Sequence, residues 1–195
     1  MIGIVDYGMG NLRSVQKAVE YLGGEALISA EEQALDGCER LILPGVGSFA
    51  AGMQNLKAAG LDAYLVRRVA DTPLLGICLG MQFLLCASEE EGEHAGLGLI
   101  DGRAVRFDRG KIPHMGWNSV EQMRSPLFAG MESGTQFYFV HSYYADVAAE
   151  DTIGTTQYYR TFASAIARGN VYGVQFHPEK SGAAGLQLLR NFMRL

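Results

Sequence analysis

Pro73-Leu74-Leu75-Gly76-Ile77-Cys78-Leu79-Gly80-Met81-Gln82 decides how the rest of the chain is read. Pro73 to Cys78 read as a buried strand, and Leu79-Gly80-Met81-Gln82-Phe83-Leu84-Leu85 as the start of a helix. Cys78 stands at their junction, with Gly76 and Gly80 two residues to either side. That is the spacing of a nucleophile elbow, a turn so tight that side chains at the flanking positions would clash. Such a turn lifts the sulfur above the carboxyl end of a sheet and aims it at the first amides of the helix, which favour a thiolate. A lone cysteine at a strand–helix junction is ordinarily a small packing residue. The paired glycines turn the reading towards chemistry, provided that a base lies elsewhere in the chain.

Outward from the elbow, the first half alternates strand and helix. Ile2-Gly3-Ile4-Val5-Asp6, Glu25 to Ser29 and Arg40 to Pro44 read as strands. Leu12, Val15, Val19 and Leu22 recur at helical spacing before Gly23-Gly24, and helical stretches surround Met53 to Leu56 and run from Leu61 to Ala70. Near-continuous apolar strands of this kind imply an α/β fold, with a mostly parallel central sheet flanked by helices. Ligands collect beyond the carboxyl ends of such strands, and here glycine pairs stand there: Gly8/Gly10, Gly45/Gly47 and Gly76/Gly80. After Ala87 the pattern changes to an acidic loop, Ser88 to Glu93, and then to short strands that suggest added antiparallel hairpins. The clearest tight turn is Ala167-Arg168-Gly169-Asn170-Val171, and a last helix runs from Ala183 to the end.

The chain has 195 residues, enough for one domain over residues 1–195. A net charge of -5 gives no footprint for nucleic acid, and no basic run suits a membrane surface. The apolar start meets Asp6 at once, which argues against a signal peptide. Cys38, Cys78 and Cys86 are odd in number and lack metal-ligand spacing, so a reduced, cytoplasmic setting without metal or cofactor is expected.

About a hundred residues beyond the elbow lies Val174-Gln175-Phe176-His177-Pro178-Glu179. Pro178 ends a strand near His177, and in extended backbone His177 and Glu179 project from one side. Cysteine, histidine and an orienting carboxylate form a constellation for acyl transfer. The oxyanion needs donors: the amide of Leu79 is one candidate, and Pro44-Gly45-Val46-Gly47 supplies backbone that can approach a substrate closely. Val46 lies between two glycines, so the Gly45–Val46 peptide is expected to rotate at little steric cost.

Gly76-Ile77-Cys78-Leu79-Gly80-Met81-Gln82 together with His177-Pro178-Glu179 resembles the class I, triad-type glutamine amidotransferase family. Asp6-Tyr7-Gly8-Met9-Gly10-Asn11-Leu12, Leu43-Pro44-Gly45-Val46-Gly47, Pro113-His114-Met115-Gly116-Trp117-Asn118 and Phe139-Val140-His141-Ser142-Tyr143 look like the glutaminase subunits of imidazole glycerol phosphate synthases within it. The resemblance implies that Cys78 attacks the side-chain amide of glutamine, that His177 shuttles the proton and that Glu179 orients the imidazole. Gln82 and Glu90 then hold the amino-acid end of glutamine beside Gly45, and the backbone of His141, Ser142 and Tyr143 meets its carboxylate. It further implies a heterodimer with a (β/α)8-barrel cyclase faced by Asn11, Trp117 and Lys180, and packing roles for Cys38 and Cys86. The triad alone would equally suit a glutaminase of vitamin B6 or guanylate synthesis, against which the Tyr7–Asn11 and Gly116–Asn118 segments argue. A catalytically idle docking subunit would not need Cys78, His177 and Glu179 together.

Overall fold

Three of the four apolar strands of the first half are buried on both faces, as strands with helices on each side must be, while the edge strand Ala26–Ser29 is half-buried. The computed structural model describes residues 1–195. The first half runs β1 (Ile2–Val5), α1 (Leu12–Tyr21), β2 (Ala26–Ser29), α2 (Glu32–Asp36), β3 (Arg40–Gly45), α3 (Phe49–Ala58), α4 (Leu61–Arg68), β4 (Leu74–Cys78) and α5 (Leu79–Phe83). The second half adds β5 (Leu85–Ser88), β6 (His94–Ala95), β7 (Ile100–Arg106), β8 (His114–Val120), β9 (Thr135–His141), β10 (Tyr143–Val147), β11 (Thr152–Tyr158), β12 (Arg160–Arg168), β13 (Val171–Val174) and α6 (Gly182–Phe192).

The main sheet has the order β2-β1-β3-β4-β13-β12-β10-β7-β5-β6, with β11 paired to β12. Its five strands from β2 to β13 are parallel, and β12, β10 and β7 continue it antiparallel. Strand alternation sorts the core into two layers. Ile4, Ile42, Leu75 and Ile77 pack with Val15 and Val19 of α1 and Leu188, Leu189 and Phe192 of α6. Val5, Leu41, Leu43 and Leu74 pack on the other side with Phe49, Met53 and Leu56 of α3 and Leu61 and Leu65 of α4. The hairpin at Gly169-Asn170 joins β12 to β13, with Arg168 opposite Val171.

Three sequence expectations change. The helix after Cys78 ends at Phe83, and the chain turns into β5 at Leu85. Every residue from Leu79 to Leu85 is buried, so no amphipathic stripe marks where the helix stops. The stretch after Val140 holds a second strand, β10, which leaves the separate β8–β9 hairpin and joins the main sheet beside β7. Cys86 is exposed, because it alternates with the buried Leu85 on β5, so it does not pack in the core as Cys38 does.

The elbow glycines are filled in by backbone. A Cβ at Gly80 would stand 1.8 Å from the carbonyl oxygen of Leu43, and one at Gly76 2.6 Å from the carbonyl oxygen of Gly80. Gly80 lies in a helix, where alanine is otherwise worth about 1 kcal/mol more than glycine. The collision reverses that sign. Gly80→Ala is therefore expected to destabilise the protein by about 3 kcal/mol or more in urea unfolding, whereas Gly37→Ala, whose nearest contact would be an ordinary 3.7 Å, changes stability little.

Candidate active site

Parallel pairing brings the chemistry to one edge of the sheet. Gly45 lies opposite Cys78 across β3 and β4, while Val174 lies opposite Ile77 across β13 and β4. The residues following β13 therefore emerge beside the elbow. Cys78 has φ +55° and ψ -110°, a backbone that non-glycine residues adopt only under constraint. The five-residue α5 has little macrodipole, so local amides rather than a long helix face the sulfur.

The histidine loop is clamped onto β9. The His177 amide donates to the Tyr138 carbonyl at 2.9 Å, and the Ser181 hydroxyl donates to the His177 carbonyl at 2.6 Å while accepting from the Tyr138 amide at 2.9 Å. Glu179 does not reach His177 along an extended strand. Pro178–Lys180 form a 3₁₀ turn, since proline with its fixed φ suits the first turn of a helix. The turn still brings Glu179 Oε1 within 2.9 Å of His177 Nδ1, with both side chains almost fully buried. A carboxylate only accepts, so Nδ1 carries the proton and Nε2 is left for the sulfur. Nε2 and Glu179 Oε2 have no hydrogen-bond partner within the protein. Asn11 Nδ2 donates to the same Glu179 oxygen at 3.3 Å.

Burial pushes His177 down, but the nearby Cys78 sulfur and the bond and charge of Glu179 outweigh it and raise its pKa to about 9. Burial acts unopposed by any anion on two other imidazoles, lowering His141 to about 3 and His114 to about 4. His141 regains part of this from its bond to the Tyr143 carbonyl, while the nearby His114 and His177 each lower it further by less.

A cavity of about 350 Å³ opens over the sulfur, lined among others by Val46, Gly47, Leu79, Gln82, Glu90 and Lys180.

The description "Glutamine amidotransferase class-I" matches residues 4–195. The chain belongs to that family. Among curated relatives of this amidotransferase, the imidazole glycerol phosphate synthase subunit HisH of Moorella thermoacetica is 51% identical, over 100% of this chain and 94% of its own length. The HisH subunit of Methanocaldococcus jannaschii is 48% identical over 100% of both chains. A glutamine amidotransferase crystal structure shares the fold, with a TM-score of 0.79 at 20% identity, over 99% of this chain and 97% of that one.

The residues singled out in the sequence of this amidotransferase divide into four groups. Cys78, His177, Val46, Gly47, Leu79, Gln82, Glu90, His141, Ser142, Tyr143 and Lys180 all line the cavity. Gly45 and Glu179 stand directly behind it, against α5 and His177 respectively. Asn11 is already engaged inside the chain by Glu179. Trp117 is 55% exposed on β8 and lies edge-on to Tyr138 across the hairpin, so it is not a core tryptophan. Glu90 Oε2 accepts from the Phe49 amide at 2.6 Å, capping α3, whose own Ser48 makes no side-chain cap. Sequence reasoning missed Gln175, which is fully buried and donates through Nε2 to Cys78 Sγ at 3.7 Å. Its place two residues before His177, in a stretch that reads as extended in the sequence, was the available signal.

The three histidines make opposite demands on pH. The unperturbed value is 6.5. A raised folded-state pKa gives His177 a stabilising contribution that is complete below about pH 6.5 and lost as pH rises through about 9. The depressed values of His114 and His141 give contributions that are present above about 6.5 and lost as pH falls towards 4 and 3. Histidine NMR titration is expected to place one imidazole near 9 and two others below 5, with Glu179→Gln lowering the first and leaving the others in place.

Proposed function

We propose that this chain is the glutaminase subunit of an imidazole glycerol phosphate synthase in histidine biosynthesis, acting as one amidotransferase domain over residues 1–195. The observation that carries the reading is the buried His177–Glu179 pair, which faces the sulfur of a backbone-strained Cys78 at the floor of a cavity.

In this reading Cys78 Sγ attacks the side-chain carbonyl carbon of glutamine. His177 Nε2 takes the thiol proton and passes it to the departing ammonia, while Glu179 holds Nδ1–H and the ring's orientation. The oxyanion is met by the amide of Leu79 and by amides of Val46 and Gly47, residues that line the cavity together with Cys78. Water then attacks the glutamyl thioester, with His177 as base, and releases glutamate. No resident cofactor or metal is required.

Glutamine's amino-acid end lies along Gln82, Glu90 and the 141–143 backbone, beside Gly45. Its ammonium competes with the Phe49 amide for Glu90, which ties substrate binding to the start of α3. Ammonia passes to a (β/α)8-barrel cyclase that forms a heterodimer with this chain. The exposed Met115 and Trp117 of β8, with Lys180 at the cavity mouth and Asn11 behind it, give that partner a surface next to the triad. No helix is long and apolar enough to cross a membrane, and the free thiols suit a cytoplasmic setting.

Cys78→Ala is expected to lower glutaminase turnover by roughly 10⁴-fold or more in the complex with the cyclase, with an unchanged circular dichroism spectrum. Full activity in that variant would overturn the nucleophile assignment. Glu90→Gln keeps an oxygen to cap Phe49 but loses the charge that meets the ammonium. Its KM for glutamine should rise about 10- to 100-fold while kcat falls much less.

A further inference from the structure

We infer that Gln175 is a positioning residue, whose side-chain amide donates a hydrogen bond to Cys78 Sγ from the end of a polar relay that fixes which way the amide faces. The inference rests on Cys78 being the nucleophile, but the hydrogen bond itself is read independently of activity.

Gln175 occupies a place where packing alone would take an apolar side chain. It is fully buried, and its neighbour Phe176 stacks on Phe137 in the core. A buried carboxamide is costly unless both its ends are bonded. Gln175 Oε1 accepts from Gln82 Nε2 at 3.2 Å, and Gln175 Nε2 reaches Cys78 Sγ at 3.7 Å.

The direction of these bonds follows from groups that only donate or only accept. Asn118 Oδ1 accepts from the Ser119 amide at 2.8 Å, and Asn118 Nδ2 donates to the Gln157 carbonyl at 3.0 Å, which fixes that amide. Asn118 Nδ2 therefore donates to His114 Nε2 at 3.2 Å, leaving the proton of a neutral His114 on Nδ1. His114 Nδ1 then donates to His141 Nε2 at 2.9 Å, and His141 Nδ1 donates to the Tyr143 carbonyl at 2.7 Å. A carbonyl accepts only, so the same tautomers follow when the chain is traced backwards. Gln82 Nε2 also donates to the Tyr143 carbonyl, at 3.2 Å, and so presents its nitrogen to Gln175 Oε1. The nitrogen of Gln175 is thereby turned to the sulfur. The Tyr143 carbonyl, which also receives His141 Nδ1, can only accept, so it sets the orientation of Gln82 and through it that of Gln175.

An N–H aimed at sulfur holds its rotamer and favours the thiolate over the thiol. The other titratable groups facing the sulfur are His177, with Glu179 behind it, and Tyr7, whose hydroxyl donates to the Pro44 carbonyl at 2.9 Å. Glu90, His141 and Lys180 line the same cavity. All of these remain in a Gln175 variant, so a difference between variant and parent reads Gln175.

The test uses Gln175→Met, which keeps length and removes the donor, and Gln175→Glu, which keeps shape and reverses its polarity. Both are made with Cys86→Ser, since Cys86 is the exposed thiol. Iodoacetamide labelling of Cys78 is followed by peptide mass spectrometry as a function of pH. The midpoint should move up by about one pH unit in Gln175→Met and further in Gln175→Glu. In the cyclase complex kcat should fall on the order of tenfold, with KM for glutamine within about twofold. An unchanged midpoint in folded Gln175→Met would overturn the inference, even if its melting temperature had dropped. Should the variants not fold, the parent protein still decides: the Gln175 side-chain amide protons should shift in NMR when Cys78 is alkylated, and unshifted protons refute the bond. Loss of the nucleophile reading would appear separately, as undiminished turnover in Cys78→Ala.

Discussion

The backbone at Cys78 is bent into a conformation that costs on the order of 1–3 kcal/mol and persists because its neighbours leave no alternative. The Leu43 carbonyl lies where a Gly80 side chain would go, the Gly80 carbonyl lies where a Gly76 side chain would go, and the Gly80 amide lies where a Gly45 side chain would go. Three backbones meet at van der Waals distance around one turn. The register of β3 on β4 makes that meeting possible, and the two core layers hold the register. The position of the sulfur is thus a property of the sheet, remote from any loop motion.

That rigidity changes how the neighbouring loop is understood. Two glycines flanking Val46 suggest a freely turning peptide, yet they differ in kind. Gly45 is a close-packing contact with α5, whereas Gly47 has φ +99° and the flexible end of Met9 as the nearest neighbour to a side chain there. At the far end of the loop Glu90 caps α3 from 41 residues away. Freedom is confined to the span between a pinned glycine and a tethered helix start. On the proposed reading, a substrate ammonium that drew on Glu90 would loosen the second of those ends only.

Much of this was legible in the letters, for definite reasons. Strands buried on both faces announce themselves by unbroken apolar runs, and the elbow by glycines whose need is steric; both signals are local. Cys78, His177 and Glu179 carry recognisable chemistry at recognisable strand ends. The 3₁₀ turn at Pro178 was misread as extended backbone because either geometry delivers the carboxylate to the imidazole. The end of α5 was invisible because a segment buried on all sides has no period. The Asn11–Glu179 bond and the Glu90 cap depend on residues separated by 168 and 41 positions, and no local pattern reports such contacts, whereas Gln175 was signalled only by its place two residues before His177.

The electrostatics of the site turn on partners rather than on depth. Burial disfavours the charged form of all three histidines within it, yet one is raised and two are lowered. His177 faces the Glu179 carboxylate and the Cys78 sulfur, so a cation there is compensated. His114 and His141 face each other, a carboxamide and a carbonyl, which need donors but no charge. Beside the sulfur, the His177–Glu179 pair is therefore set against neutral, directional hydrogen bonds of His114 and His141. Asn11 shares the Glu179 oxygen used by His177, so the strength of that pair also depends on a loop at the end of β1. Anything that pulls Asn11 outward leaves the carboxylate more fully to the imidazole, and the surface that bears on the loop bears on the base as well.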